Sequence, residues 1–207
     1  LALVAILFLI FRVIMIQRDS PELKVDKLIA QRKIMEASRL LVETGRQDEA
    51  IDLLIEERRL AEAARVYLRI GNHERAAELF AKIGDHEAAA NSFRKIGRFL
   101  EAAKALEKAH RYEEAGDLFI QAKDVKQAAR MYNSCKQYKK AGELLLRMGD
   151  KKRAAALLGK HYSDIGELTK AGKHFLLAGK LKQAGETFYR AGEFDKAAQI
   201  FEKLGEF

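Results

Sequence analysis

The chain holds 207 residues, 48% of them hydrophobic, which suffices for a sizeable core and excludes a disordered composition. One proline, no tryptophan and abundant Ala, Leu, Lys and Glu point to an all-helical protein, because proline and glycine clusters punctuate a β-rich chain more often. The formal charge of +8 lies wholly in the C-terminal part, since residues 1–121 carry 20 Lys and Arg against 20 Asp and Glu whereas 122–207 carry 18 against 10; the single Cys135 excludes an internal disulfide.

The first element is the apolar run LALVAILFLIF, residues 1–11, which Arg12 interrupts before VIMI continues it to Ile16. Sixteen residues fall slightly short of the roughly 20 that cross a bilayer core, and the run begins without methionine, so residues 1–18 are expected to be a transmembrane helix truncated at its start. A secretory signal peptide and a buried first helix are the competing readings, the former a poor match because bulky residues occupy the cleavage region. The downstream cations Arg12, Arg18, Lys24, Lys27, Arg32, Lys33 and Arg39 place the rest of a single-pass chain on the cytoplasmic side by the positive-inside tendency. Residues 19–31 form a linker and the start of a first helix, with Asp19 or Ser20 as its cap and Pro21 in its first turn.

From residue 32 onward a thirteen-residue unit recurs, starting at 32, 45, 58, 71, 84, 97, 110, 123, 136 and 149 and, after four extra residues, at 166, 179 and 192. Counting the start as zero, offset five is alanine in every unit, from Ala37 through Ala102 to Ala197. Offset six is small almost throughout, and offset nine is large and apolar, as in Phe80, Tyr132 and Phe188. Apolar groups at offsets two, five, nine and twelve share one stripe of a helix of about ten residues, and the glycine that opens most units can end the preceding helix in the left-handed conformation. So short a helix is marginal alone. Stacked antiparallel hairpins would bury every stripe in one continuous core.

The phrase GEFDKAAQIFEKL, residues 192–204, resembles the second helix of tetratricopeptide repeats, although the 34-residue period of that family is replaced by hairpins of 26. The shortened form is similar to the helical arrays of coatomer and intraflagellar-transport subunits and of soluble-attachment-protein adaptors. That resemblance implies an all-α, right-handed solenoid over residues 32–207 and a role as a protein-interaction scaffold within a larger assembly. The four extra residues, within 158–165, predict a longer helix or a loop, and Gly205-Glu206-Phe207 opens a further unit, so the array is expected to continue beyond 207.

No catalytic, cofactor or metal site is expected. His73 and His86 occupy an offset filled elsewhere by Phe or Tyr, His110 replaces a turn glycine, and Cys135 with His161 lacks any nucleophile signature. Cys135 reads as a small buried hydrophobe. The segment GELTKAGK, residues 166–173, is faintly phosphate-loop-like, but its glycines belong to the repeat. Cations at offset eleven (Arg69, Lys82, Lys95, Lys108, Arg147, Lys160, Arg190 and Lys203) complement helix dipoles. The candidate contact surface is the basic stretch 123–153, with Lys123, Lys126, Arg130, Lys136, Lys139, Lys140, Lys151, Lys152 and Arg153, in which Lys126, Lys139 and Lys152 form a column at offset three. An acidic protein, anionic lipid or RNA could meet that charge, with nucleic acid the weakest fit because the aromatics belong to core columns.

Overall fold

The computed structural model describes residues 20–205, and contacts divide these into two compact units that part between Ile96 and Gly97. In the first, the described helices are α1 (Pro21–Ala30), α2 (Ile34–Glu43), α3 (Gln47–Glu56), α4 (Leu60–Arg69), α5 (His73–Lys82) and α6 (His86–Lys95). The second holds α7 (Phe99–Lys108), α8 (Tyr112–Gln121), α9 (Val125–Ser134), α10 (Tyr138–Arg147), α11 (Lys151–Asp164), α12 (Leu168–Leu177), α13 (Leu181–Arg190) and α14 (Phe194–Leu204). The described residues are all-α, and within each unit every helix packs on its sequence neighbours in a solenoid-like stack. The expected transmembrane helix, residues 1–18, lies outside the described residues. Among those described, no helix is long and apolar enough to cross a membrane.

The N-terminus of α1 follows the sequence expectation, with Ser20 Oγ accepting the Leu23 N–H at 3.3 Å and Pro21 in the first turn. Further along, a single three-residue turn does two jobs. After α4, Gly71 takes φ +80°, and the Asn72 N–H reaches back to the Tyr67 carbonyl at 2.8 Å, closing the helix by the Schellman pattern. The Asn72 side chain then accepts the Arg75 N–H and caps α5. Five other turns use Arg32, Arg58, His110, Lys123 and Lys136 in the same left-handed conformation, φ 55–62°, where glycine would be unstrained. Where the cap residue is arginine, it pairs with a glutamate three residues on, as in Arg46–Glu49 at 2.5 Å and Arg98–Glu101 at 2.5 Å.

The core is built by the same columns. The offset-five alanine is nearly inaccessible in every described unit, from Ala37 at 0% to Ala197 at 2%. In the second unit the small residue at offset six is a socket for the large residue at offset nine of the next helix. Gly116 faces the Tyr132 ring, Gly142 faces Leu158, Gly172 faces Phe188 and Gly185 faces Phe201. Full burial of a side chain such as Phe188 contributes about 1.5–3 kcal/mol, which a ten-residue helix cannot obtain without its neighbour. The Phe188 carbonyl also accepts the closing N–H of Glu193 at 2.9 Å, so one residue both packs and caps.

The four extra residues form a helix, not a loop. α11 runs fourteen residues instead of ten, close to one added turn. The added turn duplicates the packing columns. Leu158 meets Gly142 on the preceding helix, while Gly159, one turn beyond the usual socket position at Ala155, receives Phe175 from the following one. The helix thereby serves both neighbours in register.

A Cβ at Gly172 would stand 2.8 Å from Cζ of Phe188, a ring that is 1% exposed and has nowhere to move. Overpacking costs about 1–3 kcal/mol, while alanine's helix propensity returns about 1. Gly172→Ala should therefore lower urea-unfolding stability by about 1 kcal/mol net. Adding Phe188→Leu should cost less in that background than in the native one, and strict additivity would refute the socket.

Candidate functional site

All nine candidate cations of the basic stretch are exposed, yet the fold does not gather them on one surface. Lys123 and Lys136 stand at left-handed turn positions. Three others are already paired: Arg130 with Glu107 at 2.7 Å, Lys140 with Glu113 at 2.8 Å, and Arg153 with Asp150. The Lys140 ammonium also lies 5.2 Å from the Tyr132 ring centre. The offset-three column is divided because α10 runs back between α9 and α11: Lys139 sits at the opposite end from Lys126 and Lys152, and the Lys152 stem crosses the turn at Gly179.

What the fold assembles instead is a groove of about 330 Å³ between α9 and α11. Lys126, Ala129, Arg130 and Asn133 of α9 form one wall, Arg153, Ala156 and Leu157 of α11 the other; Leu145 of α10 lies beneath, and Lys180, the cap residue of α13, closes one end. Four cations and no carboxylate line it. A smaller groove of about 200 Å³ in the first unit uses the same repeat positions: Met35, Ser38, Arg39 and Val42 of α2, Leu54 of α3, and Glu62, Arg65 and Val66 of α4, with Arg69 added. There Glu62 tempers the charge and pairs with Arg59 at 3.5 Å. The groove is thus a product of the repeat, and its charge is set unit by unit.

The groove lies inside a stretch that is similar to a known family. Residues 106–207 match the family model of soluble NSF attachment protein, SNAP. The SNAP match covers just under half of the chain, from within α7 onward, and so includes the long α11 and both walls of the α9–α11 groove. Among solved structures the chain is similar to BtubC (BKLC) from P. vanneervenii, with 16% identity over 89% of each chain and a TM-score of 0.31. No curated protein matches.

Sequence reasoning placed Lys126, Arg130 and Arg153 in the surface but missed Asn133, Leu145, Ala156, Leu157 and Lys180. The missing signal was the hairpin period: walls come from helices two units apart, so residues 26 positions apart share a groove. Other expectations differ in detail. Cys135 is half-buried at the end of α9, its thiol donating to the Tyr132 carbonyl at 3.4 Å. The offset-twelve residues lie at helix ends and most stay partly open, as with Ile70 at 41% and Met148 at 44%, although Ala178 is buried at 4%. Seven of the offset-eleven cations do stand in last turns. Lys160 does not, because α11 continues to Asp164, and its ammonium lies 5.1 Å from the Tyr138 ring centre. His110 holds a turn at φ 59°, its Nδ1 2.7 Å from the Tyr112 hydroxyl. In the phosphate-loop-like segment, Gly166 is a turn residue and Gly172 a packing residue.

The extra turn of α11 also creates an aromatic stack within the SNAP-like stretch. The Tyr162 ring stacks on His174 of α12 at 5.1 Å, with His161 at 5.3 Å and the Lys170 ammonium at 5.6 Å from the Tyr162 ring. His174 Nδ1 is buried without a hydrogen-bond partner, and burial holds the His174 pKa below its ordinary 6.5.

Because the folded pKa lies below the unfolded one, the unfolded chain takes up this proton first as pH falls. The stabilisation is complete above pH 6.5 and is lost on acidification through that value. The carboxylates with lowered pKa, such as Glu101 and Asp150, titrate in a lower window. Melting temperature should therefore fall between about pH 7.5 and 5.5. His174→Phe, which keeps the stack without the titration, should flatten most of that slope, and an unchanged slope would discount the histidine.

Proposed function

We propose that the chain is a protein-interaction scaffold, held at a membrane by residues 1–18 with its helical array on the cytoplasmic side, and that it carries no catalytic step of its own. The observation that carries the scaffold reading is the repeat-built groove, an apolar floor with a cationic rim that recurs in the same register in each unit while its side chains vary. The match of residues 106–207 to soluble NSF attachment protein, whose name denotes attachment, supports the same reading. The membrane assignment is supported by the apolar run of residues 1–16 and by the cations that follow it.

Electrostatic binding of anionic lipid or RNA through 123–153 is less well supported. Arg130, Lys140 and Arg153 already have acidic partners, and Lys139 sits at the other end of the hairpin from Lys126. Of the two aromatics in 123–153, Tyr132 is 5% exposed, and the half-buried Tyr138 already has the Lys160 ammonium 5.1 Å from its ring centre.

A photo-reactive residue at Asn133, in the groove wall, should yield discrete protein adducts in intact cells that are absent when the same group replaces exposed Glu56 at the end of α3, outside the groove linings. Adducts with lipid or RNA alone, or none above the Glu56 control, would overturn the scaffold reading. Deletion of residues 1–18 should move the chain from the membrane fraction to the supernatant, and its quantitative retention on membranes would remove the anchor.

A further inference from the structure

The α9–α11 groove differs from its counterpart in the first unit in lacking any acidic lining residue, and its four cations are not equivalent. Arg130 and Arg153 are engaged by Glu107 and Asp150, whereas Lys126 and Lys180 have no ion-pair partner among the described residues. The floor beside them is apolar, made by Ala129, Leu145, Ala156 and Leu157. Leu145 is 7% exposed and belongs to the core cluster with Ala129 and Ala154, so this floor is rigid.

From this pairing of an apolar floor with two uncompensated ammonium groups, we infer that the groove receives a linear acidic segment of a partner protein, with one large apolar side chain on the floor and neighbouring carboxylates meeting Lys126 and Lys180. The inference rests on the scaffold reading and names the partner of that site. Its size sets the scale of the occupant: about 330 Å³ is at the low end for a ligand pocket, enough for an anchor side chain and its flanks and too little for a folded domain. Burial of the anchor supplies affinity, and the lysines select for acid and speed encounter. A bilayer is a poor fit because the apolar surface lies at the bottom of a concave site, where a flat headgroup layer would meet only the rim. A nucleic acid strand finds no aromatic ring in the lining to stack on.

The test measures fluorescence anisotropy of the full chain with three labelled peptides. The first is rich in Asp and Glu around one leucine, the second has Asn and Gln in place of the acids, and the third has alanine in place of the leucine. The first should bind about tenfold more tightly than either control, and increasingly weakly as salt rises. Lys126→Glu with Lys180→Glu should cost that preference, since both side chains are free of internal partners. Ala156→Trp should fill the floor and block binding while circular dichroism shows unchanged helix content. Equal binding of the neutral peptide, indifference to the double charge reversal, or failure of the first peptide to bind would overturn the inference. So would phosphatidylserine vesicles or a single-stranded RNA binding in a manner abolished by the same double reversal. Protein adducts from Asn133 together with a negative peptide result would sink the groove's acidic specificity and leave the scaffold standing.

Discussion

A ten-residue helix does not persist in water unaided, and the architecture of each unit follows from that constraint. The answer is a ring placed in a socket. A large side chain at offset nine enters the space left by a residue with little or no side chain at offset six of the helix before it, as Tyr132 does over Gly116 and Phe188 over Gly172. Neither residue works without the other, because a bulky partner excludes the ring and a missing ring leaves a void. Since the same helix offers a socket forward and a ring backward, stability is transmitted from neighbour to neighbour.

The turns are tied to this packing. The carbonyl of the ring-bearing residue accepts the N–H that closes its helix, and the residue donating that N–H begins the next one, as Asn72 does between α4 and α5. With three residues between helices there is no slack, so turn and core must agree on register. The long helix α11 shows how an insertion survives under this restriction. Four residues are near enough to a helical turn that the sockets and rings reappear on the required faces, once for the helix behind and once for the helix ahead.

This division of labour leaves other positions free to differ. Offset five is committed to the stack and offsets six and nine serve both stack and groove, whereas offsets three, four, seven, eight and ten face the groove between alternate helices. In the first unit these hold arginines and apolar groups tempered by Glu62, and in the second they hold cations, Asn133 and apolar groups with no carboxylate. Function in such a fold is written on the uncommitted positions. The backbone repeats while the contact chemistry changes along it, which agrees with the proposed scaffold role.

The helical class, the unit length, the left-handed glycine turns and the inaccessible alanine column were all legible in the sequence, because each is a local requirement that recurs at a fixed spacing. Gly71 ends a helix by its backbone freedom, and Ala102 is small because something must pass close to it; neither fact needs knowledge of what lies across the gap. Only the tertiary structure decided that Gly172 is matched with Phe188, that the extra residues lengthen α11, and that Lys139 parts from Lys126 and Lys152. It also brought Lys180 and Leu157 to the groove. These depend on which elements face one another after the chain reverses at every turn, and a thirteen-residue pattern read along the chain is blind to a pairing made between helices one or two units apart.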